Sequence, residues 1–247
     1  VLVLLPPSET KAGGGRGRPL DLDALSFPDL NPVRAKVADA LTELARDVTA
    51  SLAALGLSER QHEEVARNAE LWTAPTAPAL LRYTGVLYEA MDLTGFRAPQ
   101  LAKAGRRLAV ASALFGLVRA NDPIPAYRLS GDSVLPGTGG LRPLWRPALE
   151  PVLDGVEGLV VDLRSGAYAA LARVPDAVTV RVVTVNAAGV RTTVSHFNKA
   201  YKGKLAGVLA RAPREPSTVE GLVRLASRSG IALERTGDRA LELVTPT

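Results

Sequence analysis

Gly158-Leu159-Val160-Val161-Asp162-Leu163 is a continuous apolar run, the pattern of a strand buried on both faces. Such a strand needs layers of helix around it, and the flanking sequence supplies them. Upstream, residues 141–153 read as a helix containing Trp145, although its prolines blur the boundaries. Downstream, Val178 to Val185 and Val190 to Phe197 are β-branched runs joined by Asn186-Ala187-Ala188-Gly189, which predicts a hairpin. A helix from Asn198 to Ala210 follows. Ser217 is placed to cap another helix, and Ile231–Glu234 and Ala240–Val244 close the chain as short strands.

The first half has the same alternation. Val1-Leu2-Val3-Leu4-Leu5 has no basic flank and no small-residue cleavage site, so it reads as a first strand rather than an export signal. From Pro32, the residues Val33, Val37, Ala40, Leu41, Leu44, Val48, Leu52 and Leu55 form one helical stripe that Gly56 stops. Ser58 then opens a second helix, so Leu55-Gly56-Leu57-Ser58 has the look of a helix-hairpin-helix turn. The carboxylates Glu59, Glu63 and Glu64 beyond it disfavour close phosphate contact. Residues 79–91 carry a third helical pattern, a helix follows Pro99, and Leu108-Ala109-Val110-Ala111 reads as a buried strand. The expectation is an α/β chain with a mixed sheet surrounded by helices, residues 1–247 forming one domain.

Composition removes several chemistries. With no cysteine there are no disulfides, thiolate nucleophiles or zinc-thiolate sites. His62 and His196 are too few for a histidine-rich metal site, so no metal and no cofactor are expected. No apolar run approaches the ~18 residues of a membrane span, and the expected address is the cytoplasm. No G-x-S-x-G is present, and Ser8 and Ser165 have no histidine at a diagnostic spacing.

The charge is unevenly spread. Ala177 to Arg214 contains no acid and seven lysines or arginines, more than the net charge of +5 for the whole chain. Leu93 to Asn121 is also free of acids and holds Arg97, Lys103, Arg106, Arg107 and Arg119. Two such runs suit an anionic partner, although each also suits a solvated helical face. Within the first, Ser195-His196-Phe197-Asn198-Lys199-Ala200-Tyr201-Lys202-Gly203-Lys204 joins a strand to a helix start. Lys199 and Lys202 there oppose the helix dipole, a pattern that an anionic ligand relieves. Asp162 and Ser165 end a buried strand, where open α/β sheets place ligands, and Ser165 can equally serve as a helix cap. Gly13 to Pro19 resembles a phosphate loop only superficially, because Lys11 precedes the glycines.

On these residues the chain resembles the bacterial peroxide-stress protein YaaA family, from residue 1 to about residue 244. Pro7-Ser8-Glu9-Thr10-Lys11 resembles the family's SPAK/SETK start. Phe115-Gly116-Leu117-Val118-Arg119 through Pro125-Ala126-Tyr127-Arg128-Leu129 resembles LYGVLRPxDxIxPYRL, the most specific match. Tyr83-Thr84-Gly85-Val86-Leu87-Tyr88 resembles the G-x-V-Y-x-G-L helix. Asp162 to Tyr168 resembles NLASxEYxK, with Asp for Asn and Ala for Glu. Phe197 to Gly203 resembles the KxxRG helix start, with lysine for arginine. The resemblance implies a positively charged cleft, a helix-hairpin-helix element, binding of double-stranded DNA and a role in limiting iron-dependent oxidative damage.

The site expected from residues and resemblance together comprises Lys11, Arg119, Tyr127, Arg128, Ser165, Lys199, Lys202 and Lys204. Its expected partner is double-stranded DNA. Tyrosine and serine among the basic residues keep open an enzyme acting on a nucleotide or other phosphorylated small molecule.

Overall fold

The computed structural model describes residues 1–194 and 197–245, so Ser195 and His196 of the strand-to-helix motif lie outside the described residues. Eight strands form one mixed sheet: β1 Leu2–Leu5, β2 Leu108–Ser112, β3 Gly116–Arg119, β4 Val160–Asp162, β5 Val178–Val185, β6 Arg191–Thr193, β7 Ala232–Arg235 and β8 Ala240–Thr245. Their order is β7-β8-β5-β4-β1-β2-β3, with β6 pairing the last three residues of β5. The five strands β2, β1, β4, β5 and β8 are parallel. β3, β6 and β7 are antiparallel to their neighbours. From β1 the chain goes first to β2 on one side and later to β4 on the other. The carboxyl end of β1 is therefore a topological switch point, where the loops part and leave a crevice.

Ten helices surround the sheet: α1 Asn31–Leu44, α2 Val48–Leu55, α3 His62–Ala69, α4 Ala79–Arg82, α5 Val86–Met91, α6 Ala98–Arg107, α7 Leu141–Asp154, α8 Gly166–Ala169, α9 Asn198–Arg211 and α10 Val219–Arg228. One apolar cluster runs from Leu2 in β1 to Leu243 in β8 and includes all of β1. Among the described residues, no helix is long and apolar enough to cross a membrane.

Three helices depart from their sequence pattern. The stripe from Val33 to Leu55 is two helices, because Asp47 is extended and its carboxylate accepts from the N–H of Ala50 at 2.9 Å. Ser51 Oγ then donates to the Leu44 carbonyl at 2.7 Å, closing α1, and Val48 is 48% exposed despite lying on the apolar period. Residues 79–91 are likewise split into α4 and α5. Lys11 pairs with Tyr83 as a β-bridge, the Thr84 N–H donates to the Thr10 carbonyl, and Gly85 at φ 97° leaves helical space. In α10 the cap is Thr218 rather than Ser217, its Oγ1 accepting from the Gly221 N–H at 3.0 Å. Between α2 and α3, Gly56 turns in the left-handed region at φ 63°, and a 3-10 turn at Glu59–Gln61 precedes α3.

Candidate functional site

Pro6 and Pro7 end β1, and the chain folds back so that Lys11 is buried at the carboxyl end of the sheet. Its Nζ donates to the carbonyls of Ser8 at 3.0 Å and Glu9 at 3.4 Å. The ammonium lies 4.2 Å from the Tyr127 ring centre and 5.5 Å from that of Tyr83. Burial pulls the Lys11 pKa down to about 7; the Glu9 carboxylate acts against this and the Arg128 guanidinium adds to it.

A buried hydroxyl chain continues from this lysine. Tyr83 Oη meets Tyr127 Oη at 2.8 Å, and Tyr127 Oη meets Ser112 Oγ at 2.8 Å. Ser112 Oγ also accepts from the N–H groups of Leu114 and Phe115 at 3.2 and 3.0 Å. With both lone pairs so used, the serine proton is directed to Tyr127 and the Tyr127 proton to Tyr83. Burial pushes the Tyr83 phenol up to about 12 and the Tyr127 phenol well above its ordinary value, so both are neutral at physiological pH.

Arg128 is fixed from two sides. The Asn68 carboxamide, fully buried on α3, accepts from the Arg128 N–H at 2.8 Å and donates to its carbonyl at 2.9 Å. The guanidinium then pairs with the Glu9 carboxylate at 3.2 Å.

The opposite wall comes from β4 and α9. Arg164 pairs with Asp162 at 2.8 Å and donates to the carbonyls of Tyr168 and Ala172, which fixes the turn into α8. Ser165 occupies the cap position of α8, is exposed, and its hydroxyl makes no bond to the helix. Lys202 reaches the carbonyls of Leu163 at 3.2 Å and Arg164 at 3.4 Å; burial lowers its pKa, with Asp162 opposing. Lys199 is exposed and lines a cavity of about 190 Å³ together with Pro6, Ser8, Thr84 and Tyr88. Thr84 Oγ1 donates to Thr10 Oγ1 at 3.0 Å, and Ser8 Oγ lies 3.2 Å from the same atom.

Lys11, Tyr127 and Arg128 thus gather beyond β1, and Ser165, Lys199 and Lys202 gather beyond β1 and β4. Lys204 is exposed further along α9, 5.2 Å from the Tyr201 ring centre. Arg119 is not with them. It pairs with Ala109 near the amino end of β2, bonds the Arg106 carbonyl and stacks 5.2 Å from the Phe27 ring centre. The basic run from Leu93 to Asn121 is partly structural too, since Arg107 is buried and donates to the Ala212 carbonyl at 2.6 Å. Asn68, Tyr83 and Ser112 were not legible as site residues. Each is one polar group in a helical or apolar stretch, and its partner lies 15 to 60 residues away. Among the described residues, no group of three or more His, Cys, Asp or Glu side chains is arranged to hold a metal ion.

Comparison with known proteins fits this architecture. The family model described as peroxide stress protein YaaA matches residues 1–232. A UPF0246 protein of Corynebacterium efficiens is 49% identical over 238 residues, covering 95% of each chain. One from Corynebacterium glutamicum is 47% identical over 238 residues with the same coverage. One from Streptomyces coelicolor is 45% identical over 239 residues, 95% of this chain and 92% of the relative. The match spans both halves of the sheet and every segment that builds the crevice, and on that ground the chain belongs to the YaaA peroxide stress protein family.

Proposed function

We propose that the protein serves the peroxide stress response by binding duplex DNA across the carboxyl end of its sheet. The observation that supports this reading is the seat of α9. Its first turns carry Lys199 and Lys202 with no acid among them, and they abut the segments that follow β1 and β4. Phosphates would meet Lys199 and Lys202 on one wall, with Arg128 opposite and the exposed Ser165 hydroxyl between, while Lys204, two positions past Lys202, adds only a peripheral cation from another face of α9. Backbone contacts of this kind position a duplex without reading its sequence. The Leu55–Ser58 turn is left out of the contact surface, because exposed Glu59 and Glu63 follow it directly.

Titration of labelled duplex at several salt concentrations tests the reading. Binding should weaken steeply with salt, and the double variant K199Q/K202Q should lower the slope of log affinity against log salt by about two contacts, ~0.9 each. Gln keeps helix propensity and Lys199 opposes the dipole, so its loss should cost little; any fall in thermal stability should come from Lys202, which gives up its bonds to the Leu163 and Arg164 carbonyls. A slope unchanged in the folded variant would take α9 out of the interface.

The enclosed arrangement around Lys11 favours a second reading, a phosphorylated small molecule held in the same crevice. Surface contact with DNA does not call for a buried lysine beside a tyrosine-serine hydroxyl chain, whereas a pocket uses such groups for orientation. Thermal-shift measurements with nucleotides and sugar phosphates, followed by competition against duplex, separate the two. A tight small ligand that displaces DNA favours the pocket, and silence across the panel counts against it.

A further inference from the structure

We infer that the protein has a second anion site, for a phosphoryl group, at the far end of α9 from the crevice. Residues 213–218 leave α9 and run beside α10, and between them lies a groove of about 450 Å³. Arg214 enters it from the connecting segment, Arg224 and Arg228 from α10. Arg224 and Arg228 are four residues apart, and with Gly221 and Leu225 they make one face of the helix. Three exposed arginines therefore line one groove from two segments.

The acids nearby do not neutralise them. Glu215 lines the groove too, but its carboxylate is paired with Arg107 at 3.0 Å, and Glu220 bonds Arg235 at 2.7 Å, leaving Arg224 only a longer-range attraction to it. Among the described residues, none of the three arginine side chains makes a hydrogen bond or an ion pair. Like charges brought together on one helix face are locally unfavourable unless a counter-charge joins them. Guanidinium is the group that matches a phosphoryl oxygen pair in a planar, bidentate way. A monoanionic carboxylate would leave most of the charge uncompensated, whereas a dianionic phosphoryl group answers it. The Ser217 hydroxyl in the same lining is a further donor, and Pro213, Pro216 and Leu225 give the groove an apolar floor. The volume falls within the ~300–1,000 Å³ usual for small-molecule sites, so the groove has room for more than the phosphoryl group itself.

This site is independent of the crevice, because its cations come from residues 214–228 and those of the crevice from Lys11 to Lys204. Inorganic pyrophosphate is the probe, titrated calorimetrically into the full chain at low salt. R224Q/R228Q should weaken its binding by tenfold or more, and so should R214Q, which leaves α10 untouched should the double variant fold poorly. A charge-matched control, K36Q/R46Q on the surface near α1, should leave it within twofold. Equal losses in the control, or no pyrophosphate binding by the wild type, would overturn the site. Duplex DNA then identifies the source of the phosphoryl group. If duplex displaces pyrophosphate and R224Q/R228Q lowers the salt slope for duplex, the groove takes nucleic-acid phosphate. If pyrophosphate binding survives saturation with duplex, it takes a phosphorylated small molecule. Because K199Q/K202Q should leave pyrophosphate binding at this groove unchanged, failure of the crevice reading and failure of this one are distinguishable.

Discussion

Lys11 is held by opposing forces. Two carbonyls, the faces of Tyr83 and Tyr127, and the Glu9 carboxylate favour its charged form, while burial disfavours it and prevails, taking its pKa from 10.5 to about 7. Between those two values the unfolded chain binds more protons than the folded one, so this residue makes stability rise with pH. Below pH 7 the full penalty of burying the ion is present. In K11M the penalty disappears, and the variant's stability relative to wild type should be greatest at pH 6 and fall as pH climbs. Urea unfolding at pH 6, 7.5 and 9 measures it. The difference should shift by roughly 2 kcal/mol between pH 7 and pH 9, with Lys202 present in both proteins. A difference that does not move with pH would show that the cation–ring and carbonyl contacts cancel the burial. In the sequence Lys11 stood out by its place after a first strand, but its burial did not, because the Tyr83 that covers it lies 72 positions further on.

At the scale of elements, α9 holds its place through glycine. A Cβ on Gly203 would fall on the Leu87 carbonyl oxygen, and one on Gly207 would come within 2.6 Å of the Met91 carbonyl oxygen. Both neighbours are backbone of α5 and cannot turn aside, so the two helices touch main chain to main chain. That close approach seats the Lys199 end of α9 against the Pro6–Ser8 turn. G203A should destabilise by about 1–3 kcal/mol, overpacking outweighing the ~1 kcal/mol by which Ala favours a helix interior. G221A in α10, whose new Cβ would meet only ordinary contacts at 3.4 Å or more, should be neutral or slightly stabilising. Denaturant midpoints compare them, and a G203A as stable as wild type would mean that α5 and α9 can separate freely. The start of α9 and the strands β1, β2, β4 and β5 were legible from apolar runs and breakers. The breaks at Asp47 and at Tyr83-Thr84-Gly85 were not. Local periodicity continues through both, and only a capping carboxylate in one case and a β-bridge from Lys11 in the other interrupt the helix.

Across the whole molecule, both acid-free basic runs are partly engaged inside the fold: in the first, Arg181 and Arg191 pair with Glu242 and Arg211 bonds the Met91 carbonyl, and in the second, Arg107 and Arg119 bond carbonyls. Charge counting cannot separate a cation that faces solvent from one that satisfies buried carbonyls, since the carbonyls belong to distant segments. Arg119 is the case in point, drawn to the amino end of the sheet by the antiparallel return of β3. Arg107 is the clearer one. Its guanidinium is 4% exposed, donates to the carbonyls of Leu209 and Ala212 at the end of α9, and pairs with Glu215. A cation there satisfies carbonyls left without helix partners and faces the negative end of the helix dipole. The one side chain thus joins the start of β2 to the end of α9 and the segment beyond it, across more than a hundred residues. Arg107→Met keeps much of the apolar stem and removes every donor. Hydrogen bonds to a charged group contribute about 1.5–3 kcal/mol; with Glu215 44% exposed the ion pair itself adds little, so a loss on the order of 2–3 kcal/mol is expected. Because this charge is engaged inside the fold, the salt slope for duplex binding should stay as in wild type, unlike that of K199Q/K202Q. A slope lowered in Arg107→Met, with stability intact, would place the arginine on the nucleic-acid surface instead of inside the structure.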